Sequence, residues 1–291
     1  MRLLSLGAGV QSTTLALMAC EGRRLEPLDG AIFADTGWEP KAVYDHLDRL
    51  RLVLAGAGIP LHVVSNGNLR EDTLNPDHRY ASIPYYIRKV DGGAGMGRRQ
   101  CTSEYKLAPI NRKIRQLLGA PGPNFRRVPR RAVAEQWIGF SADEIGRVGG
   151  GRGVQYIRPT YPLINLGMDR RACERWLAAR GWSTVPKSAC VCCPYRGNAG
   201  WRDMRDNRPE EWAGAVAFDE AIRKAGVRGA QLDGEAYLHR SLLPLSVAPI
   251  GHMTRKELLA GQADIFDLLN EGGDPDGCSP YACRSGPAVT R

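Results

Sequence analysis

Leu3-Leu4-Ser5-Leu6-Gly7-Ala8-Gly9-Val10-Gln11-Ser12-Thr13 is the stretch on which the fold turns. An apolar run short enough for a buried strand passes through a glycine turn into a helical pattern from about Ser12. Glycines between a strand and a helix let backbone N–H groups point inward at the positive end of the helix, so an anion is expected there. The Walker A pattern requires a Gly-Lys-Ser/Thr ending, which is missing. The dinucleotide fingerprint requires a third glycine where Gln11 or Ser12 stands. A turn of purely structural use is the other reading of the same residues.

Outward from this loop the alternation continues. Ala31-Ile32-Phe33-Ala34 reads as a second strand ending at Asp35, Lys41 to Ala57 as an amphipathic helix, and Leu61-His62-Val63-Val64 as a third strand. Short buried strands alternating with helices predict an α/β protein with a parallel sheet. Asn66 to Gln100 is polar and Gly-rich and reads as an excursion or lid. A helix is expected from Ala108 to Leu118, a strand from Val133 to Phe140, and an extended Tyr161-Pro162-Leu163-Ile164. Met168 to Arg180 reads as a helix with Asp169 at its cap or first turn. Beyond Cys193 the pattern is helical and charged from Trp201 to Lys224, and from Gly272 it shows no periodicity. No internal repeat is visible.

The 291 residues are 43% hydrophobic and 24% charged, ample for a buried core, with a net charge of +9. The pI near 9.3 favours anionic partners: nucleotides, nucleic acid or acidic headgroups. Arg98 to Arg131 holds ten basic residues and one acidic residue, Glu104, with Arg126, Arg127, Arg130 and Arg131 crowded into one loop. A nucleic-acid surface and an ordinary basic face both fit that density, since aromatics for base stacking are sparse. No apolar run approaches the roughly 18 residues that span a bilayer, and Met1 leads straight into a strand pattern. The expectation is a cytoplasmic chain without a membrane partner.

Eight cysteines in such a chain point away from disulfide scaffolding. Cys20 and Cys173 lie on helical patterns and read as buried small thiols. Cys101, Cys190, Cys192, Cys193, Cys278 and Cys283 sit in polar or Gly/Pro-flanked turns, where metal ligands are often carried. Cys190 and Cys193 form a Cys-x-x-Cys, a spacing shared by zinc sites, iron–sulfur sites and redox dithiols. A thioredoxin-like pair would open a helix early in its fold, whereas this one lies late and beside Pro194. Cys192 reads as a bystander, and His239 and His252 as packed or surface histidines.

The loop Gly7-Ala8-Gly9-Val10-Gln11-Ser12 resembles the PP-loop, Ser-Gly-Gly-x-Asp-Ser, of the N-type ATP pyrophosphatases and phosphoadenylyl-sulfate (PAPS) reductases, with Gly7 and Gln11 departing from the pattern. Four further segments are similar in the same order. They are Asp35-Thr36-Gly37, Cys101 through Lys106 to Pro109, Trp137-Ile138-Gly139 with Glu144 and Arg147, and Tyr161-Pro162-Leu163-Ile164 with Asp169. Together they span about residues 1 to 195. The resemblance implies a Rossmann-like α/β/α sandwich with a parallel sheet and a Cys-rich C-terminal extension, divided into a PP-loop domain over 1–195 and an extension over 196–291 packing on it.

It further implies an enzyme that binds ATP or an adenylyl sulfonucleotide and carries out sulfur transfer or reduction. Ser5, Gly7, Ala8, Gly9, Gln11 and Ser12 would hold phosphate or sulfate, Asp35, Thr36 and Gly37 the adenosine, and Lys106 and Arg147 the remaining negative charge. In the assimilatory reductases a Cys-Cys pair and a Cys-x-x-Cys hold a [4Fe–4S] cluster, and Cys101, Cys190 and Cys193 fall at corresponding places, with Thr102 where a second adjacent Cys would stand. Cys278 or Cys283 would close the set, or one iron would stay open, as in tRNA-thiolating PP-loop enzymes; zinc is the alternative occupant. The first arrangement gives Cys278 to the metal and leaves Cys283 as the attacking thiol of a sulfonucleotide reductase, although the Glu-Cys-Gly tail motif is not found. Implied partners are the nucleotide, a nucleic-acid acceptor such as tRNA or DNA, and a sulfur- or electron-donor protein. The reading from another class is a non-catalytic nucleotide or nucleic-acid binding module with a structural zinc site.

Overall fold

The computed structural model describes residues 1–78, 83–120, 122, 127–149, 154–224 and 234–253. Strands β1 (Arg2–Ser5), β2 (Gly30–Asp35) and β3 (Leu61–Ser65) are linked by helices α1 (Val10–Glu21) and α2 (Lys41–Gly56). Later in the chain come β6 (Ala134–Ile138) and β7 (Ile157–Thr160), and the five strands form one sheet in the order β3-β2-β1-β6-β7. Every pairing is parallel. Successive side chains of the central strands face opposite ways and both are buried, as a sheet covered on two faces requires. Leu4, Ala31, Phe33 and Trp137 pack under α1, α2 and helix α6 (Arg170–Ala178). Leu3, Ile32, Ala34 and Ala134 pack under Ile110 and Ile114 of helix α4 (Ala108–Leu117). The α/β/α sandwich is therefore present.

Strand order reverses at β1, which has β2 on one side and β6 on the other. Such a switch point opens a crevice at the carboxyl ends of the strands, where open α/β sheets bind ligands.

Residues 66–100 carry more structure than a lid. They hold helix α3 (Leu69–Leu74) and strands β4 (Tyr86–Arg88) and β5 (Ala94–Met96). With β8 (Glu235–Tyr237) these strands make a three-stranded antiparallel sheet in the order β5-β4-β8. A second apolar core joins this region to α7 (Asn198–Asn207) and α8 (Pro209–Ala221) through Leu69, Tyr105, Val191, Trp201 and Phe218. Residues on both sides of position 195 thus share one core.

Two local expectations are corrected. Tyr161-Pro162-Leu163-Ile164 is not extended: Pro162–Asn165 forms one helical turn, α5. Proline constrains the residue before it but suits the first helical position, and Leu163 is anchored in the main core. Cys101 does not sit in a turn. It stands at the start of a π-helical segment, Thr102–Leu107, continuous with α4. Pro109 supplies no N–H to the preceding turn, and widening that turn lets the helix run through it.

Helix α1 is buried almost all round, so its polar side chains need internal partners. Thr14 donates to the Val10 carbonyl at 2.9 Å. Thr13 Oγ1 lies 2.9 Å from His46 Nε2 of α2. Burial, with Arg49 nearby, pushes the His46 imidazolium down from 6.5 to about 4. The unfolded chain therefore binds this proton at a higher pH than the folded one. The stabilising contribution is complete above about pH 6.5 and is lost as pH falls towards 4. Urea denaturation at pH 7 and pH 5 is expected to show a loss on the order of 1–2 kcal/mol from this residue, which His46→Gln removes. An unchanged pH dependence in the variant would place the acid sensitivity elsewhere.

Candidate functional site

A cleft of about 900 Å3, counting its open mouth, lies at the carboxyl ends of β1, β2 and β6. Ser5, Gly7, Gly9, Gln11 and Ser12 line one wall. Ser12 ties the loop together, its Oγ accepting from the Gly7 N–H at 3.2 Å and donating to the Gly9 carbonyl at 3.2 Å. Gly9 caps α1 in an extended conformation, and the N–H groups of the first helical turn have no intrahelical acceptor. Ala8 is buried behind the loop at φ 55, a left-handed conformation uncommon away from glycine. The loop is also pinned from β6: a Cβ on Gly139 would lie 3.0 Å from the Ser12 nitrogen.

Gln11 has a partner that explains its amide. Its Nε2 donates to Glu144 Oε2 at 3.2 Å and to Ser141 Oγ at 3.4 Å. A carboxylate at position 11 would face Glu144 with like charge. Glu144 belongs to a capping box on the 3-10 turn Ala142–Arg147, with Ser141 as its N-cap, and is ion-paired to Arg147. Arg147 lines the cleft together with Lys106, Arg170 and Lys187.

Asp35, Thr36 and Gly37 stand behind the wall that Phe33 and Ala34 present. Asp35 Oδ1 accepts from the Gly37 N–H at 2.8 Å and from the Tyr44 hydroxyl at 2.9 Å, closing the turn after β2. Gly37 adopts φ +73 with the Asn68 backbone about a Cβ contact away, so no other residue fits without strain. Thr36 Oγ1 donates to Glu39 Oε1 at 3.1 Å. The same oxygen accepts from Cys190 Sγ at 3.3 Å and lies 3.7 Å from Lys106 Nζ. Lys106 and Glu39 are thus a buried ion pair in the cleft wall, each the compensation for the other's lost hydration.

Sequence reasoning missed Glu39, Arg170, Lys187 and Ser188. Ser188 faces the loop: a Cβ on Gly9 would meet its Cβ at 3.6 Å. A carboxylate four residues past Asp35 was a readable signal for Glu39. The segment Pro186-Lys187-Ser188 carried none beyond its nearness to the cysteines.

Cys190 and Cys192 are buried in the second core, Cys101 packs against it partly buried, and Cys193 is likewise partly buried. Burial pushes the Cys192 thiol far up, and the nearby Cys193 and Cys101 push the same way. Cys190 points instead at Thr36 and Glu39. Among the described residues no group of three or more His, Cys, Asp or Glu side chains is gathered as a metal site. Cys278 and Cys283 lie outside the described residues. His239 is a packed histidine, between Ser241 Oγ at 2.8 Å and Asn198 Oδ1 at 3.0 Å.

The basic stretch does not converge on the cleft. Lys106 lines it, Arg112 reaches Asn66 Oδ1 at 3.0 Å on the side of β3, and Arg130 and Arg131 precede β6, at the end of the strands away from the cleft. Arg126 lies outside the described residues. No helix among the described residues is long and apolar enough to cross a membrane.

Fold and cleft together define a parallel-sheet α/β protein with a glycine-loop cleft at its switch point. No protein-family model matches the chain, and no curated protein matches it.

Proposed function

We propose that this chain is a PAPS reductase-like PP-loop enzyme that binds ATP or an adenylyl sulfonucleotide in the switch-point cleft and carries out sulfur transfer or reduction. The observation that supports it most is the placing of Gly7, Gly9, Gln11, Ser12, Lys106 and Arg147 on the walls of one cleft at the head of α1. Phosphates lie against the first turn of α1, where the helix dipole and backbone N–H groups favour an anion. Lys106 and Arg147 stabilise charge that develops during adenylyl or sulfuryl transfer. Gln11 supports Glu144 and Arg147 rather than touching a metal as an acidic residue would.

An iron–sulfur cluster, with zinc as the alternative, belongs to the proposal, held by Cys101, Cys190 and Cys193 with Cys278. No chemical step is routed through that group. The acceptor in this reading is a nucleic acid, tRNA or DNA, with a sulfur- or electron-donor protein as partner and the cytoplasm as its place. The spread of the basic residues over both ends of the sheet favours an acceptor contacted along α4 rather than one confined to the cleft mouth.

The test has two arms. Titration with ATP is expected to show binding that Gly9→Leu weakens at least tenfold, because the side chain fills the gap between loop and Ser188. Unchanged affinity would remove the phosphate-loop assignment. Protein purified without oxygen is expected to carry iron and sulfide, with visible absorption lost in Cys101→Ala or Cys193→Ala. One zinc without sulfide would make the cysteines structural and shift the reading to a binding module.

A further inference from the structure

Glu39 stands apart from the other carboxylates of the cleft. Its side chain is only 2% exposed. Oε1 is heavily used: it accepts from Thr36 Oγ1 at 3.1 Å and Cys190 Sγ at 3.3 Å, with Lys106 Nζ at 3.7 Å. Oε2 is buried and has no hydrogen-bond partner among the described residues. A buried acceptor without a donor costs free energy, and native proteins rarely leave one unsatisfied unless a ligand or water completes it. Glu39 is among the residues that line the cleft, the side from which a bound ligand would supply the missing donor. Lys106 already supplies a positive charge to this carboxylate, so the group that fits Oε2 best is a neutral O–H or N–H donor rather than a cation.

Resting on the nucleotide reading above, we propose that Glu39 is a specificity-determining residue that accepts a hydrogen bond through Oε2 from the nucleoside half of the bound nucleotide. The phosphates occupy the head of α1, formed from the end of β1. Glu39 follows the end of β2, the neighbouring strand, so the nucleoside extends across the sheet edge towards β2. Two groups of a nucleoside carry the required donor, a ribose hydroxyl and the exocyclic amine of the base. Glutamine at this position cannot serve both sides. If its oxygen faces the ligand, its amide meets Lys106; if its amide faces the ligand, two donors meet.

The experiment is a binding titration of the full chain with ATP, 2′-deoxyATP, 3′-deoxyATP and inosine triphosphate, followed by the half-buried Trp38 beside Glu39 and repeated with Glu39→Gln and with Gly9→Leu. The expected result is that one analogue binds the unmodified chain about tenfold or more weakly than ATP, and that Glu39→Gln lowers ATP affinity and erases the difference. A weak deoxy analogue assigns the donor to the ribose, and a weak inosine nucleotide assigns it to the base amine. Gly9-dependent ATP binding that is equal for all four nucleotides overturns the role of Glu39 and leaves the nucleotide reading standing. No binding of ATP by the unmodified chain overturns both. Glu39→Asp, which keeps the negative charge beside Lys106 but shortens the side chain, is the second variant should Glu39→Gln fail to fold, and discrimination unchanged in it overturns the role of Glu39.

Discussion

Gly139→Ala is expected to lower nucleotide affinity at least tenfold and to destabilise the fold by about 1–3 kcal/mol. The added Cβ would stand 3.0 Å from the Ser12 nitrogen, 3.2 Å from its Cα and 3.3 Å from the Gln11 carbonyl carbon. All three are backbone atoms of the first turn of α1, so no side chain can swing away to relieve the contact. Either β6 retreats from β1 or the loop moves, and a displacement of a few tenths of an ångström changes where every N–H of that turn points. Paired urea denaturation and ATP titration separate the two effects. A variant equal to the parent in both would mean that β6 does not set the loop.

Asp219→Ala is expected to cost more, about 3–5 kcal/mol, without touching the cleft. Asp219 is wholly buried on α8. Its carboxylate accepts from the Leu238 N–H at 2.7 Å and the Leu245 N–H at 3.0 Å and is ion-paired to Arg223. Removing it strands two backbone donors and a cation whose side chain is 15% exposed. Denaturation together with hydrogen exchange at the Leu238 and Leu245 amides tests this. Exchange at those amides should quicken before that of β1 and β2. Uniform exchange across both cores, or a loss below 1 kcal/mol, would show that apolar packing alone holds this segment.

The parallel sheet was legible because its signals are local. Leu3-Leu4, the glycines after Leu6 and the apolar run ending at Asp35 each report a strand end within a few residues, and Asp169 does cap its helix, accepting from Ala172 N at 2.6 Å. Lys106 and Arg147 were likewise placed in the cleft. What the sequence hid depends on contacts between distant segments. The role of Asp35 in holding Tyr44 and Gly37, rather than lining the cleft, follows from a turn geometry that the residue types leave open. Glu39 meets Cys190 across a separation of 151 residues. The π-helical turn at Thr102–Leu107 was obscured because Pro109 reads as the start of a helix rather than as a point inside one. The second core escaped notice because its strands are three residues long, too short for alternation to register.

The small sheet also sets an order of events during synthesis. The five parallel strands are all available once the chain has reached Thr160, whereas β4 waits for Glu235–Tyr237 to gain its second neighbour. Domains assemble from the amino end as they emerge, so the nascent protein holds a finished phosphate loop while one edge of β4 is still bare. Bare edges recruit other chains, and short, cationic strands resist that recruitment. β4 is such a strand, ending in Arg88 with Lys89 after it. When β8 arrives, Arg88 pairs with Glu235, and the charge that kept strangers off the edge becomes the contact that seals it.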